Sequence, residues 1–276
     1  MESIPNLTGL KSGDRNRRRS NLGIGGPPAK WNDSLVKIGI VVTIIILFIL
    51  AFESPTVNNK NSIKLFIEAF GKTILISIIA IFMGLALGIV IGLGRISRNF
   101  LIRGAASVYV EAIRGTPLII QIFFIYFGLP ALGFNFSDPL PAAALALGIN
   151  SGAYQAEIIR GGIQSIPKGQ MEAARSTGMS YLQSMRRVIL PQGFRLIIPP
   201  LTNEYVTVLK DSSLAYTIGV VELTYVGNKL VSIYFEPFSI FLFVALIYFT
   251  LTTFTSVIMR FVEKRFQIPG YMIGGS

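Results

Sequence analysis

Long apolar runs recur along this sequence of 276 residues, and they constrain its fold more than any other feature. An α-helix of about 20 apolar residues crosses the roughly 30 Å hydrocarbon core of a lipid bilayer. Six runs are predicted to span a membrane, at residues 35–52, 66–94, 105–129, 140–163, 188–209 and 238–259. Because proline has no backbone N–H, the third run is expected to break or bend at Pro117, and the fifth to break near Pro199-Pro200. Because hydrocarbon offers backbone N–H and C=O groups no hydrogen-bond partners, these runs must be helical. The sequence therefore predicts an all-α integral membrane protein.

Composition supports this fold class and excludes several kinds of site. Hydrophobic residues make up 51% of the chain and charged residues 14%, whereas about a quarter of the residues in a soluble domain are charged. The chain contains no Cys and no His. Disulfides, thiolate or imidazole metal sites, and catalysis by Cys or His are therefore excluded, and we expect no metal and no cofactor.

The basic residues predict how the chain is oriented in the membrane. The net charge is +11, but Lys and Arg gather at the ends of apolar runs instead of forming one patch, so no nucleic-acid partner is expected. If both termini are cytoplasmic, most of the 25 Lys and Arg residues lie on the inner side. The outer loops keep only Lys60, Lys64, Lys210 and Lys229. This asymmetry follows the positive-inside rule and supports the cytoplasmic placement of both termini.

The second apolar run has glycines on one face. Gly84, Gly88 and Gly92 are spaced four residues apart, which places them along one side of a helix. Small residues at this spacing allow another membrane helix to approach closely. The alternative is that membrane helices simply tolerate glycine.

A polar stretch at residues 165–192 separates the fourth and fifth runs and is too polar to span a bilayer. Ser165 is predicted to cap the start of a helix, and Pro167 suits its first turn because the missing N–H needs no partner there. Gly178 is predicted to end this helix, since glycine readily adopts the left-handed conformation.

A second helix is predicted to follow within the same stretch. Ser180 and Gln183 have the spacing of a capping box, in which side chain and backbone exchange hydrogen bonds at a helix start. Pro191 is expected to kink or interrupt this helix, because proline removes a backbone donor. Two short polar helices joined by a glycine turn indicate a surface that meets a partner.

The residues of this stretch also carry a family resemblance. Glu172-Ala173-Ala174, Gly178 after three residues and Val188-Ile189-Leu190-Pro191 after nine more resemble the EAA loop of ABC importer permeases. The one departure from the family pattern is Val188, where Ile is usual. The resemblance implies a cytoplasmic coupling helix that fits a cleft of a separate ATPase subunit. The coupling residues it indicates are Glu172, Ala173, Ala174, Gly178 and Pro191.

The resemblance extends beyond the EAA loop to stretches at 110–127, 152–174 and 190–223, which are similar to the polar-amino-acid branch of these permeases. It implies the five-helix transmembrane core of a type I ABC importer plus one extra N-terminal transmembrane helix. The predicted parts are a cytoplasmic tail at 1–33, the extra helix at 34–53, the transmembrane domain at 66–263 with its coupling loop at 165–187, and a cytoplasmic tail at 264–276.

Polar residues within the fourth run are candidates for a transport pathway. Asn150, Ser151, Tyr154 and Gln155 share one face of a helix. A polar face at mid-bilayer must look into the protein or into a water-filled path, so these residues either line the pathway or hydrogen-bond between helices. The weaker candidates of the same kind are Gln121, Asn203 and Glu204.

Charged pairs near the ends of the runs are candidates for gates. Glu111 with Arg114 and Glu157 with Arg160 have the same spacing of three residues, at the inner ends of adjacent runs. Because neither charge tolerates lipid, we expect them to pair and to clamp an inner gate rather than contact substrate. Lys210-Asp211 resembles a conserved family segment at the outer end, and implies an outer gate.

The resemblance implies import of a polar amino acid by alternating access in a bacterial cytoplasmic membrane. The expected partners are an ABC ATPase dimer, a second permease copy or paralogue, and an extracytoplasmic binding protein. This chain is not expected to hydrolyse ATP, because Gly71-Lys72-Thr73 lacks the glycine that a phosphate-binding loop needs at position 66, which is Phe66. One alternative is an ATP-independent channel or secondary transporter, which would need no EAA loop. Another is a membrane scaffold for a cytoplasmic ATPase complex, which would leave the polar face of the fourth run unexplained.

Overall fold

The structure is a computed structural model that describes residues 33–266, and every regular element within that range is helical. The chain divides into two units, Met1–Ile49 and Leu50–Ser276. Helix α1 is an apolar helix with the bounds Asp33–Phe52. The predicted tails at 1–33 and 264–276 lie outside the described residues, except for their helical ends at Asp33 and 264–266.

The remaining helices follow in chain order. They are α2 (Lys60–Arg95), α3 (Phe100–Arg114), α4 (Leu118–Phe123), α5 (Pro139–Gln164), α6 (Lys168–Ser176), α7 (Tyr181–Ser184), α8 (Leu190–Asp211), α9 (Leu223–Tyr234) and α10 (Pro237–Phe266). Wider π-helical turns follow α4 at Phe124–Gly128 and α7 at Met185–Ile189. Tighter 3₁₀ turns lie at Leu129–Leu132 and Ser212–Ile218.

Membrane-spanning helices are present, as predicted. By length and composition, α2 and the segment Pro237–Glu263 of α10 are each able to cross a bilayer, and the bent pair of α3 with Leu118–Leu132 makes a third candidate if it counts as one span. The polar residues of α5 and α8, such as Asn150 and Glu204, lower the mean hydropathy of those helices. The total of six spans stays a prediction.

The third predicted span is sharply bent at Pro117. The axes of α3 and the following helical segment differ by 103°. Proline has no N–H to continue the helix, and it begins α4 from an extended conformation, with φ −60° and ψ 137°. The predicted break at this proline is therefore confirmed.

Helix α5 lies at the centre of the packing and contacts α2 along its length. The buried alanines Ala142, Ala143 and Ala146 belong to the largest core, together with Ile76 of α2. Further along α2, a Cβ atom at Gly88 would lie 2.7 Å from the Gln155 Cβ. Glycine is needed there because the two helices approach too closely for a side chain, as the spacing predicted.

The structure confirms two features of the polar stretch and corrects a third. Gly178 has a φ of +84°, and Ser180 forms the capping box with Gln183. Ser165 does not cap α6, however. It ends α5, with its hydroxyl donating to the Gly162 carbonyl at 2.9 Å. The residue before α6 is Pro167, which offers no capping side chain.

The two proline sites of α8 have different outcomes. At Pro191 the α-helix is interrupted, as predicted, because the π-helical turn Met185–Ile189 separates α7 from α8. This wider turn ends two residues before Pro191 and gives the proline ring room. The predicted break near Pro199-Pro200 is wrong, because both prolines lie inside the continuous helix Leu190–Asp211.

Helix α9 is a finding that the sequence analysis did not predict. Its start is capped by Glu222, a fully buried side chain that accepts hydrogen bonds from the N–H groups of Thr224 and Tyr225 at 2.9 and 2.7 Å. The Tyr248 hydroxyl of α10 donates to the same carboxylate at 2.7 Å. Burial raises the pKa of Glu222, and these hydrogen bonds act in the opposite direction. Glu222 therefore ties the start of α9 to α10.

Candidate functional site

A polar cavity of about 520 Å³ lies where the break between α3 and α4 meets α5 and α8. Its walls are residues 114–118 of the break, Asn150 and Tyr154 of α5, Glu204, Thr207 and Asp211 of α8, and Leu214. Sites for small molecules commonly have volumes of roughly 300–1,000 Å³. The polar cavity is therefore large enough for a small polar molecule.

The structure brings most of the predicted pathway residues to this cavity. Asn150, Tyr154 and Glu204 line it directly. Ser151, Gln155 and Gln121 stand behind the wall and reach it through hydrogen bonds. Asn203 is exposed and does not line the polar cavity, although it neighbours Glu204.

Gln121 holds the break in place against α5. Its amide nitrogen donates to the Ile113 carbonyl at 2.7 Å and to the Thr116 carbonyl at 3.1 Å. These carbonyls lie just before Pro117, which cannot supply the usual backbone donor. The amide oxygen of Gln121 accepts from the Asn150 side chain at 3.1 Å. One buried amide thus satisfies the broken helix and connects it to α5.

A chain of hydrogen bonds runs from the wall of the cavity into the interface of α2 and α5. The Ser151 hydroxyl donates to the Glu204 carboxylate at 2.9 Å, and the Gln155 amide donates to Ser151 at the same distance. Gln155 is fully buried, and its amide oxygen has no hydrogen-bond partner among residues 33–266. The chain fixes the Glu204 carboxylate at the cavity wall.

Charges of both signs face the polar cavity. The Arg114 guanidinium lies 5.1 Å from the centre of the Tyr154 ring, a cation–π contact. Glu204 and Asp211 supply carboxylates from α8. The cavity can therefore offer partners to a cationic group and to an anionic group of one ligand.

The predicted inner charge pair at Glu157 is present and includes a third residue. Glu157 pairs with Arg160 three residues later in α5 and also with Arg95 at the end of α2. These are the ion pairs found within the described part of the chain. Glu111 is exposed and forms neither of them, and its expected partner Arg114 faces Tyr154 instead. The clamp thus connects α2 to α5.

The remaining predicted residues lie at the two ends of the helices. Lys210 is exposed beside Asp211 at the end of α8. In α6, Glu172 and Ala173 are exposed while Ala174 is buried, and Lys168 and Arg175 are exposed beside them. Gly178 follows α6, and Pro191 lies in the first turn of α8.

Three polar or charged residues at these sites were not among the predicted ones. Arg95 is one of the basic residues at the end of an apolar run, and nothing in the sequence indicates Glu157 as its partner. Thr116 and Thr207 line the polar cavity. Thr207 could have been found, because Glu204, Thr207 and Asp211 have helical spacing that places them on one face.

The chain has relatives among known sequences. Residues 84–268 match the family described as binding-protein-dependent transport system inner membrane component. The probable amino-acid ABC transporter permease YckA of Bacillus subtilis is 39% identical over 212 residues, which cover 76% of this chain and 93% of that protein. The glutamine transport system permease GlnP of Escherichia coli K12 is 41% identical over 209 residues, with coverages of 75% and 95%.

Solved structures share the fold. A chain from the crystal structure of an amino acid ABC transporter with histidines is 40% identical, with a TM-score of 0.69 and coverage of 73% of this chain and 94% of that chain. An inward-facing MetNI methionine ABC transporter chain is 20% identical with a TM-score of 0.65, and covers 76% of this chain and 100% of that one. This second likeness concerns the fold alone.

Proposed function

Because this chain belongs to the family of binding-protein-dependent transport system inner membrane components, we propose that it is the permease subunit of an ABC importer for a polar amino acid. The observation that carries the proposal is the identity of 39–41% to amino-acid permeases along nearly their whole length. The fold is that of ABC importer permeases. The alternative of an ATP-independent channel or secondary transporter is not favoured by these relatives.

ATP hydrolysis belongs, in this proposal, to a separate ATPase chain. Gly71-Lys72-Thr73 lies inside helix α2, whereas a phosphate-binding loop joins a strand to a helix. Two ATPase subunits would meet two permease copies, or one copy and a paralogue, in a two-fold assembly. An extracytoplasmic binding protein would deliver the amino acid to the outer side.

The coupling surface of this proposal is α6 with the turn at Gly178. The exposed side of α6 carries Glu172, and the glycine turn sets the direction in which α7 leaves it. Closure of an ATPase dimer on this surface would move α6 relative to α5. That displacement is able to switch the permease only if the ATP-bound dimer binds one of its two states more tightly.

The polar cavity is proposed to hold the amino acid during transport. An α-carboxylate would pair with Arg114, and an α-ammonium group would pair with Glu204 and Asp211. Tyr154 and Asn150 would complete the wall, with Ser151, Gln155 and Gln121 holding it in position. Both charged groups are common to all amino acids, so the side-chain preference would come from the rest of the site.

Glu157 is proposed to clamp the inner gate through Arg95 and Arg160. The clamp ties the end of α2 to α5, two helices that must separate or slide if the inner side opens. Lys210 and Asp211 would act at the outer end of α8. Arg114 and Glu111 form no ion pair with each other in this structure. They would pair in the other state of the permease, in which the opening of the polar cavity differs.

The proposed location is the bacterial cytoplasmic membrane, with both termini in the cytoplasm. The distribution of Lys and Arg supports this orientation, which places α6 where an ATPase can reach it. In this orientation, residues 66–263 form the transmembrane domain, with the coupling loop at 165–187. Residues 34–53 form an added helix, and residues 1–33 and 264–276 form cytoplasmic tails. The family match at 84–268 overlaps most of this domain.

The proposal is tested by ATPase activity in liposomes. The chain is co-purified with its ATPase subunit and assayed with its binding protein and each amino acid in turn. We expect one loaded binding protein to stimulate ATP hydrolysis, and Glu172→Lys to abolish the stimulation because it replaces the one acidic side chain of α6 with a cation. Glu53→Lys makes the same change at an exposed residue outside that surface and should leave the stimulation intact. Solute flux without any ATPase subunit would instead support a channel or secondary transporter.

A further inference from the structure

A second cavity lies at the predicted inner end of the helices. It has a volume of about 410 Å³ and is bounded by the end of α2, the turn before α3, the start of α6 and α7. We call it the inner cavity. It shares no lining residue with the polar cavity, although Arg95 of the proposed gate clamp and the start of the proposed coupling helix α6 both line it.

The inner cavity is strongly cationic. Arg95, Arg103 and Lys168 line it, and within the described chain its lining includes no acidic residue. Arg98 adds a further positive charge at its edge, where the guanidinium lies 4.1 Å from the centre of the Tyr181 ring. Arg95 pairs with Glu157, but Arg160 shares that carboxylate. A net positive charge therefore remains to be balanced.

The start of α6 adds a second feature that favours an anion. Pro167 and Lys168 both line the inner cavity, and Pro167 provides no side chain to cap the first N–H groups of the nine-residue helix. Unpaired N–H groups and the helix dipole make the start of a helix favourable for phosphate and carboxylate groups. The cations and the helix start thus meet in one place.

Much of the remaining lining of the inner cavity is apolar. It consists of Ile163, Ile166, Met171, Met185 and Ile189, which belong to a hydrophobic cluster of the described core. A small inorganic anion would leave these apolar residues without a partner. A molecule with an anionic head and an apolar body matches both the cationic and the apolar lining.

We propose that the inner cavity binds the phosphate group of an anionic phospholipid. Arg103 and Lys168 contact the phosphate with the first turn of α6, and the glycerol and upper acyl chains lie on the isoleucine and methionine wall. Basic pockets between membrane helices on the cytoplasmic side bind lipid head groups in this way. The choice of the inner leaflet follows from the orientation proposed above, whereas the anion chemistry follows from the cavity itself. A bound lipid would connect the turn before α3 to α6.

The experiment is native mass spectrometry of the delipidated complex of this chain with its ATPase subunit. Phosphatidylglycerol, phosphatidylcholine and glycerol 3-phosphate are titrated separately. We expect phosphatidylglycerol to bind more tightly than both other probes. The double variant Arg103→Gln/Lys168→Gln should bind it about tenfold more weakly, because two charge-assisted contacts are lost. The matched control is Arg260→Gln, which removes an exposed positive charge near the C-terminal end of α10, outside the lining of the inner cavity.

Several results would overturn the proposal. If the double variant and the wild type bind phosphatidylglycerol equally tightly, the inner cavity is not the binding site. If phosphatidylcholine binds as tightly as phosphatidylglycerol, the site does not prefer an anionic lipid. If glycerol 3-phosphate binds as tightly, the ligand is a soluble phosphate ester and not a lipid. Lipid that binds the isolated permease but not the complex would show that the ATPase subunit fills the cavity. The charge-preserving variant Arg103→Lys/Lys168→Arg should retain the lipid. It therefore distinguishes loss of the positive charges from misfolding caused by substitution at these two positions.

Discussion

At the scale of single residues, the position of the Glu204 carboxylate depends on a hydrogen bond from another helix, α5. Its carboxylate accepts from Ser151, which in turn accepts from the buried Gln155. A carboxylate inside a membrane-spanning segment raises the free energy of the folded state unless it is paired, and such a residue commonly has a function. The hydrogen bond from Ser151 holds it at the wall of the polar cavity, where a cationic group of a substrate can reach it.

Glu204→Gln is expected to lower amino-acid uptake about tenfold at saturating loaded binding protein. The amide keeps the size of the side chain and an oxygen for Ser151, but it removes the charge, and the loss of one charge-assisted hydrogen bond costs about 1.4 kcal/mol. Uptake of radiolabelled substrate into proteoliposomes measures this. The control is Glu53→Gln, the same change at an exposed residue outside the polar cavity. Unchanged uptake in Glu204→Gln would remove Glu204 from the substrate site.

At the scale of helices, the contact between α2 and α5 depends on the absence of side chains. A Cβ atom at Gly88 would lie 2.7 Å from the Gln155 Cβ and 3.2 Å from the Ala156 backbone nitrogen, neither of which is the end of a flexible side chain. Gly71 of the same helix has no atom within 4 Å of such a Cβ. The two positions therefore separate packing from the general effect of alanine on a helix.

Gly88→Ala is expected to lower the free energy of unfolding by about 1–3 kcal/mol, because an added methyl group forces the two helices apart. Gly71→Ala should be neutral or slightly stabilising, since alanine favours helix more than glycine does. Thermal unfolding of both purified variants in the same detergent provides the comparison. Equal melting temperatures would mean that α2 and α5 are not packed this closely in the membrane.

The turn after α6 is a second feature at this scale. Gly178 has a φ of +84°, a conformation that costs other residues roughly 1–2 kcal/mol. Gly178→Ala should therefore alter the angle between α6 and α7 and reduce stimulation of the ATPase by the loaded binding protein. Gly104→Ala lies within α3, outside the coupling surface, where an added Cβ meets no atom within 4 Å, and should leave stimulation unchanged. If both variants behave alike, the turn is not part of the coupling surface.

At the scale of the whole molecule, the orientation in the membrane is open to a direct test, because the chain contains no Cys. Ser176 of α6 and Ser232 of α9 are both exposed, and the proposed orientation places them on opposite sides. A membrane-impermeant maleimide should label Ser232→Cys in intact cells and Ser176→Cys only after permeabilisation. Wild-type protein supplies the unlabelled background. The reverse pattern would contradict the positive-inside assignment.

Sequence patterns alone predict the fold class, the break at Pro117, the glycine contact and the two-helix polar stretch. Each of these follows from local rules: apolar length, a missing N–H, helical spacing and the conformational freedom of Gly178. The family pattern at Glu172–Gly178 is equally local. It was visible because its residues lie within one short stretch of chain.

Contacts between distant residues, by contrast, depend on the tertiary structure. Arg95 and Glu157 are 62 positions apart and Ser151 and Glu204 are 53 apart, so no spacing along the chain predicts either contact. The same holds for Pro199 and Pro200. Their missing N–H groups predicted a break, whereas both prolines lie inside the continuous helix α8. The local sequence indicates the conformation that each residue favours by itself. Packing determines which distant residues provide its remaining contacts and hydrogen bonds.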